Sequence, residues 1–86
     1  MPYAVYLKRS AEKELAGLPE EVHRKIMKRL LTLKDNPRPY GSKKLWGGER
    51  YRIRVGDYRI LYTIDDALRK IEVSAVGHRR EEYRLD

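Results

Sequence analysis

Arginine recurs at alternate positions in the segment RYRIRVGDYRILY, which begins at residue 50. Apolar and aromatic residues occupy the other positions, and this period of two predicts strands with one buried face. A Gly-Asp pair separates the two alternating runs and suits a type II′ hairpin turn. That turn sets Arg54 opposite Arg59, with Arg52 one pleat away on the same face. The segment therefore predicts three guanidinium groups on one sheet surface.

Such crowding of like charges suggests an anionic ligand. Side chains of one sign that lie directly opposite each other destabilise a sheet by about 0.2–1 kcal/mol per pair. Guanidinium groups bind phosphate through paired hydrogen bonds, so phosphate is the expected ligand. The alternative is a solvated face whose arginines pair with Asp or Glu residues of the C-terminal tail.

The chain as a whole is basic, with 20 Lys and Arg against 13 Asp and Glu and a formal net charge of +7. This balance favours nucleic acid or another polyanion as partner, although a basic surface without such a role would give the same total. The excess is concentrated before and within the arginine hairpin, where Lys43 and Lys44 lie. Trp46 follows them, either as a stacking platform for a base or as a lid over the core.

The chain of 86 residues is expected to form a single domain, residues 1–86. It contains no cysteine, which removes disulfides and thiolate ligands and favours a reducing cytoplasm. The two histidines, His23 and His78, are not at metal-ligand spacing, so no metal and no cofactor are expected. No signal-peptide pattern and no apolar run of about 20 residues is present. We therefore expect a soluble cytoplasmic protein without a membrane partner.

Two helices are predicted between a first strand and this hairpin. Residues 3–8 alternate as a strand, and apolar residues then recur at helical spacing in two groups. The first group ends near Gly17 and Pro19, and the second ends where prolines follow Asn36. The two apolar sets are Ala11, Leu15 and Leu18, then Val22, Ile26, Leu30 and Leu33. These helices form a hairpin that must pack on a sheet.

A last strand is predicted over residues 70–76, where Ile71, Val73 and Ala75 alternate toward the core and Gly77 ends the strand. The stretch between the second helix and the arginine hairpin is expected to be a loop. The prediction is an α+β fold of order β-α-α-β-β-β, in which the helical hairpin packs on one face of a mainly antiparallel four-stranded sheet. The arginines belong on the other face, which is left for solvent or ligand.

This residue set suits cleavage of RNA by its own 2′-hydroxyl group. The attack requires the 2′-oxygen in line and negative charge stabilised on the phosphorane oxygens, which guanidinium groups supply. Arginine stays protonated and is a poor base. Tyr83 or His78 would then move protons, unless orientation of the RNA suffices. The alternative is that Arg79, Arg80 and Tyr83 form an ordinary charged terminus and that His78 is a structural residue.

Four segments resemble the RelE/ParE toxin superfamily, and its RelE branch in particular: LPEEVHRKI, NPRPYGSKKLWGG, YRIRVGDYRILYTIDD and VGHRREEYR. The resemblance covers nearly the whole chain in the same order. It implies the compact RelE-type α/β fold and ribosome-dependent cleavage of mRNA in the A site, held off by a RelB-like antitoxin. It implies an active face made by Arg52, Arg54, Arg59, Arg79 and Tyr83.

Further RNA contacts are expected at Lys43, Lys44, Trp46 and His78, the last at a position where some related toxins place a functional histidine. The chain departs from the family in two ways. The hairpin carries Arg where other members carry Lys, which removes a lysine base of lowered pKa, and the tail after Gly77 is short. Two alternatives stay open: a ParE-like inhibitor of DNA gyrase, and a non-catalytic module that binds nucleic acid or the ribosome.

Overall fold

The computed structural model describes residues 2–45 and 49–78. Its elements are β1 (Ala4–Leu7), α1 (Arg9–Ala16), α2 (Glu20–Asp35), β2 (Lys43–Lys44), β3 (Arg50–Val55), β4 (Tyr58–Asp65) and β5 (Lys70–His78). The α+β class and the order of the two helices and the longer strands are confirmed. Trp46, Arg79 and Tyr83 lie outside the described residues. Within the described ranges, no helix has the length and apolar character needed to cross a membrane.

The strands form one sheet in the order β1-β5-β4-β3-β2. β1 runs parallel to β5, and the other pairings in the described ranges are antiparallel. The prediction of four strands is wrong by one, because Lys43 and Lys44 pair with Arg52 and Tyr51 as a two-residue edge strand. Two residues are too few to show an alternating pattern in sequence.

Both helices pack on one face of the sheet and bury its apolar side chains. The buried core consists of Ala11, Leu15, Ile26, Leu30, Leu33, Tyr51, Ile53, Ile60, Tyr62, Ile64, Ile71, Val73 and Val76. Leu18 and Val22 pack against this core while remaining partly exposed. Full burial of a side chain of this size contributes about 1.5–3 kcal/mol. Apolar contact of the helices with the sheet is therefore what holds the arginine hairpin in place.

The hairpin between β3 and β4 has the turn and the register that the sequence predicts. Gly56 adopts a φ of 62° and Asp57 a negative φ, the combination found in a type II′ turn. Arg54 lies opposite Arg59, and Arg52 lies opposite Leu61. Because glycine has no Cβ, it takes this left-handed conformation without a steric penalty. The turn thus fixes which residues of the two strands share a face.

The last strand departs from simple alternation. On β4, Leu61 pairs with Ala75 and the next residue, Tyr62, pairs with Val73. Ser74 is therefore an extra residue on β5. A bulge of this kind reverses the faces of the residues that follow it. Val76 is therefore buried at 1% exposure, and the prediction that Ala75 faces the core is wrong. The strand also runs on to His78 instead of ending at the preceding glycine.

The outer edge of β5 is closed by α1 where β1 has ended. The carboxylate of Glu14 accepts a hydrogen bond from the backbone N–H of Val76 at 2.9 Å. The hydroxyl of Ser10 donates to the carbonyl of Ser74 at 3.5 Å. These side chains take the place of hydrogen bonds that a further strand would make. The edge of the sheet on this side is thus covered by the molecule itself.

Candidate nucleic-acid interface

The three arginines of the hairpin lie on the sheet face opposite the helices, because they alternate with the buried residues of β3 and β4. Their exposure differs. Arg54 is exposed and Arg52 is half-buried, whereas Arg59 is only 4% exposed. Arg59 is on the central strand, with Arg54 opposite on β3 and Gly77 opposite on β5. The expectation of an open face therefore holds for Arg54 and not for Arg59.

The two lysines of β2 are separated by the sheet. Lys43 pairs with Arg52, and directly paired residues share a face, so Lys43 extends the row of arginines. Lys44 has the opposite parity, and its ammonium group lies 3.6 Å from the carboxylate of Glu49. The structure thus brings only Lys43 together with the arginine face. The RNA-binding role of both lysines stays a prediction.

His78 is directed away from the arginine face. It pairs with Tyr58, and the two rings meet edge to face with their centroids 5.4 Å apart. Tyr58 has the parity of the core residues, and the bulge at Ser74 is what gives His78 the same parity. Simple alternation along β5 would have placed this imidazole among the guanidinium groups. Its role in RNA binding stays a prediction.

A groove of about 430 Å³ lies along the outer edge of β3 beyond the end of β2. We call it the cationic groove. It is lined by Arg29, Tyr40, Gly41, Ser42, Lys43, Arg52, Ile53 and Arg54. The lining includes four basic residues and no acidic residue. Sequence reasoning missed Arg29 and Tyr40, because neither stands near the hairpin in the chain and no local pattern links them to it.

A second group of charges, at the opposite end of the hairpin, is internally neutralised. The guanidinium of Arg38 donates to the carboxylate of Asp66 at 2.9 and 3.3 Å and to the hydroxyl of Tyr51 at 2.9 Å. The carboxylate of Glu49 lies 3.7 Å away, and Tyr3 donates its hydroxyl hydrogen to Asp66. The Arg38 guanidinium and then the Tyr3 hydroxyl hold the pKa of Asp66 below its usual range. We call these residues the Arg38 cluster.

The loop that carries Tyr40 is held to the sheet by a buried phenol. Tyr62 donates its hydroxyl hydrogen to the carbonyl of Pro37 at 2.8 Å. Burial raises the pKa of Tyr62 to about 12, because the phenolate form would lose its hydration. Together with the Arg38 cluster, this contact anchors the start of the loop at Pro37 and Arg38. The loop therefore presents its exposed side chains from a fixed base.

The chemistry available on the arginine face is electrostatic. Guanidinium and ammonium groups donate hydrogen bonds and attract phosphate oxygens, and arginine does not act as a base. Within residues 2–45 and 49–78, no group of three His, Asp or Glu side chains is arranged to hold a metal ion. The described side chains can thus orient a phosphodiester and stabilise added negative charge on it.

Comparison with known proteins identifies the family. A model of the ParE toxin of the type II toxin-antitoxin system parDE matches residues 5–83. The chain belongs to the RelE/ParE toxin superfamily. A Mycobacterium tuberculosis protein named Toxin RelE is 30% identical over 87 residues, covering 99% of this chain and 90% of the relative. Putative toxin RelE1 of Methanocaldococcus jannaschii is 31% identical over 90 residues, covering 98% of each.

The fold agrees with this family. The toxin in the crystal structure of the toxin-antitoxin complex RelBE2 from Mycobacterium tuberculosis superposes with a TM-score of 0.82 at 28% identity, covering 92% of this chain and all of that one. The RelE branch indicated by the sequence segments is therefore confirmed. The chain is a RelE toxin of a type II toxin-antitoxin system.

Proposed function

We propose that this RelE-family toxin is a ribosome-dependent endoribonuclease that cuts mRNA in the A site. In the proposed reaction, the 2′-hydroxyl attacks the adjacent phosphate and the 5′-oxygen leaves. The observation that carries the proposal is the hairpin register, which sets Arg54 opposite Arg59 with Arg52 one pleat away. Three guanidinium groups in this arrangement favour a phosphate whose negative charge grows in the transition state.

The exposures of the arginines support a division of roles among them. Arg59 is 4% exposed and is proposed to stabilise the phosphorane, since a side chain surrounded by protein reorganises little during the reaction. Arg54 is exposed and is proposed to grip the RNA backbone as it enters. Arg79 and Tyr83 are proposed from the family resemblance to complete the site, with Tyr83 as a proton carrier. Lys43, Lys44, Trp46 and His78 are proposed to bind RNA.

The proposed setting is the cytoplasm, with a single domain acting on the ribosome and restrained by a RelB-like antitoxin. The Mycobacterium tuberculosis structure is by name a toxin-antitoxin complex, and a comparable partner is proposed for this chain. With a net charge of +7, the chain favours an acidic partner whose binding weakens as salt rises. A small acidic reading frame beside the gene is the expected sign of that partner.

The test is cleavage of A-site mRNA on programmed ribosomes by the parent chain and by Arg59→Ala and Arg79→Ala. Both variants should lose cleavage while still folding. Arg24→Ala is the matched control, since Arg24 is an exposed arginine of α2 paired with Glu20. A substrate with 2′-deoxy at the scissile nucleotide should stay uncut while the toxin still binds the ribosome. Full cleavage by both variants, or cutting of the deoxy substrate, would refute this mechanism.

Gyrase inhibition is the second candidate, because the matching family model is named for ParE. A supercoiling assay with purified gyrase and mapping of mRNA ends on stalled ribosomes separate the two activities. The proposed function requires new mRNA ends within A-site codons and unchanged supercoiling. Inhibited supercoiling without new mRNA ends would assign the chain to the ParE activity instead. Ribosome binding without either effect would indicate a non-catalytic module.

A further inference from the structure

The cationic groove is continuous with the arginine face, since Arg52 and Arg54 belong to both. It reaches past the edge of β3 to Arg29 on α2, a residue to which the proposed cleavage step assigns no role. Its volume of about 430 Å³ lies within the range of about 300–1,000 Å³ typical of ligand sites. The groove is thus large enough for one monomer of a polymer whose backbone crosses the arginine face.

The charges of the groove favour a polyanion. In the described part of the chain, neither Arg29, Lys43 nor Arg54 forms an ion pair with a carboxylate. A second depression of about 320 Å³ continues from Arg29 along α2 and adds Lys25 and Lys28. A row of like charges that residues 2–45 and 49–78 do not neutralise is stabilised by an extended anionic ligand.

The exposed ring of Tyr40 favours single-stranded nucleic acid over an acidic peptide as the polyanion. Tyr40 is one of the residues that line the groove, and it is as exposed as in an unfolded chain, at 104%. The ring contributes little to the core, yet its loop is anchored by the Arg38 cluster and by Tyr62. Proteins that bind single-stranded nucleic acid combine a basic groove with aromatic rings on which bases stack. An acidic peptide would neutralise the basic residues but would leave the planar ring without a partner.

We propose that the cationic groove binds one nucleotide of single-stranded RNA, with its base stacked on Tyr40 and its phosphate held by Arg29 and Lys43. The proposal rests on the proposed RNA substrate and adds a binding site beside the cleavage step. In this arrangement, Arg52 and Arg54 connect the groove to the phosphate that is cut.

The first experiment measures binding of a fluorescent, non-cleavable 2′-O-methyl RNA hexamer by anisotropy. Tyr40→Ala should weaken binding about 5- to 140-fold, and Tyr40→Phe should bind like the parent, because stacking needs the ring and not the hydroxyl. Arg29→Ala should lower the slope of log K against log salt by about 0.7, the value for one phosphate contact on a single strand. Arg24→Ala, on the same helix but outside the groove, should change neither quantity.

A matched set of hexamers with one abasic position tests the stacking directly. Loss of the stacked base should weaken binding to the parent by the same factor as Tyr40→Ala and should have no further effect on that variant. Equal binding of the hexamer by Tyr40→Ala and the parent, or no binding by the parent, overturns the proposal. So does Arg29-dependent binding of a glutamate hexapeptide that exceeds binding of the RNA, since the groove would then be a peptide site.

Ribosomes identify the source of the nucleotide and separate this proposal from the proposed function. If the groove takes messenger RNA, the parent should bind ribosomes more tightly when the message extends beyond the A site, and Tyr40→Ala should lose that gain. Equal loss on short and extended messages assigns the nucleotide to ribosomal RNA. Cleavage that needs Arg59 but tolerates Tyr40→Ala and Arg29→Ala at every message length refutes the groove alone. Tyr40-dependent RNA binding without any cleavage refutes the proposed function alone.

Discussion

The Arg38 cluster and the cationic groove contain the same type of residue under opposite conditions. In the Arg38 cluster, two carboxylates, those of Asp66 and Glu49, lie within 4 Å of one guanidinium. The lining of the cationic groove contains four basic residues and no carboxylate. The neutralised arginine fixes a loop, whereas arginines among other basic residues create a positive potential that favours an anion. The charges beside an arginine therefore help to indicate whether it stabilises the fold or is placed to bind an anion.

Mutating one arginine in each region should give the largest differences in cleavage rate and in Tm. Arg54→Ala should lower kcat/KM for ribosome-dependent cleavage about 10- to 150-fold, because Arg54 is proposed to hold the RNA backbone and a hydrogen bond to a charged group contributes about 1.5–3 kcal/mol. Its Tm should stay close to that of the parent, because Arg54 is exposed. Arg38→Ala should do the reverse, lowering Tm while folded molecules keep their cleavage rate. Single-turnover cleavage and thermal unfolding measure the two quantities, and the same response of both variants would contradict the comparison.

The next largest effect should come from substituting the glycine of the turn that creates the arginine face. Gly56→Ala should destabilise the chain by about 1–2 kcal/mol, since a side chain in the left-handed region costs that much. This cost applies at Gly56 because its φ is 62°. Asp57→Ala, one residue further on, is the control and should change the free energy of unfolding by less than about 0.5 kcal/mol. Urea unfolding measures both, and equal values for the two variants would show that the turn conformation is not strained by alanine.

Removing the buried phenol should have a smaller effect. Tyr62→Phe loses the hydrogen bond to Pro37 and should cost about 1 kcal/mol at pH 7. Burial raises the pKa of Tyr62 to about 12, so the folded state keeps this proton at a pH where the unfolded state, near pKa 10, releases it. The contribution is complete below about pH 10 and is lost as pH rises toward 12. Unfolding curves across this range should therefore decline less steeply for Tyr62→Phe, and parallel declines would contradict the assignment.

The smallest effect should come from replacing the carboxylate of Asp66 in the Arg38 cluster. Its lowered pKa means that the folded state favours the charged form of Asp66. The contribution is present above the unfolded pKa of about 3.9 and is lost as pH falls through the lowered folded pKa. Asp66→Asn should therefore have a lower Tm than the parent near neutral pH, and the two values should converge in acid. Added salt should also narrow the gap, because both partners are partly exposed.

Much of the fold could be predicted because local patterns determine it. The type II′ turn at Gly56 sets the register of β3 and β4, and the helical spacing of residues such as Ile26 and Leu33 marks the core face of α2. The prediction fails where a structure depends on distant partners. β2 exists only because β3 lies beside it, and the bulge at Ser74 is visible only from the pairing of β5 with β4.

The candidate site divides in the same way. Placing Arg54 and Arg59 opposite each other followed from the turn, but no local pattern indicates that Arg59 is buried while Arg54 is exposed. The hydrogen-bonded ion pair of Arg38 and Asp66 joins residues 28 positions apart, and neither their types nor their spacing in the sequence predicts it. Tyr40 stands in a proline-rich loop where sequence gives no indication of exposure. The pairing of residues across the hairpin could be predicted from the sequence, whereas the exposure of each side chain to solvent could not.

The extra residue in β5 has an evolutionary consequence. Deleting Ser74 would leave Gly77 opposite Arg59 and His78 opposite Tyr58, because the remaining residues of β5 would alternate regularly in the present pairing. A single codon deletion could thus remove the bulge without changing the direction of any neighbouring side chain. In a comparison with a relative that lacks the bulge, a gap placed away from Ser74 would align side chains that lie on opposite faces of the sheet.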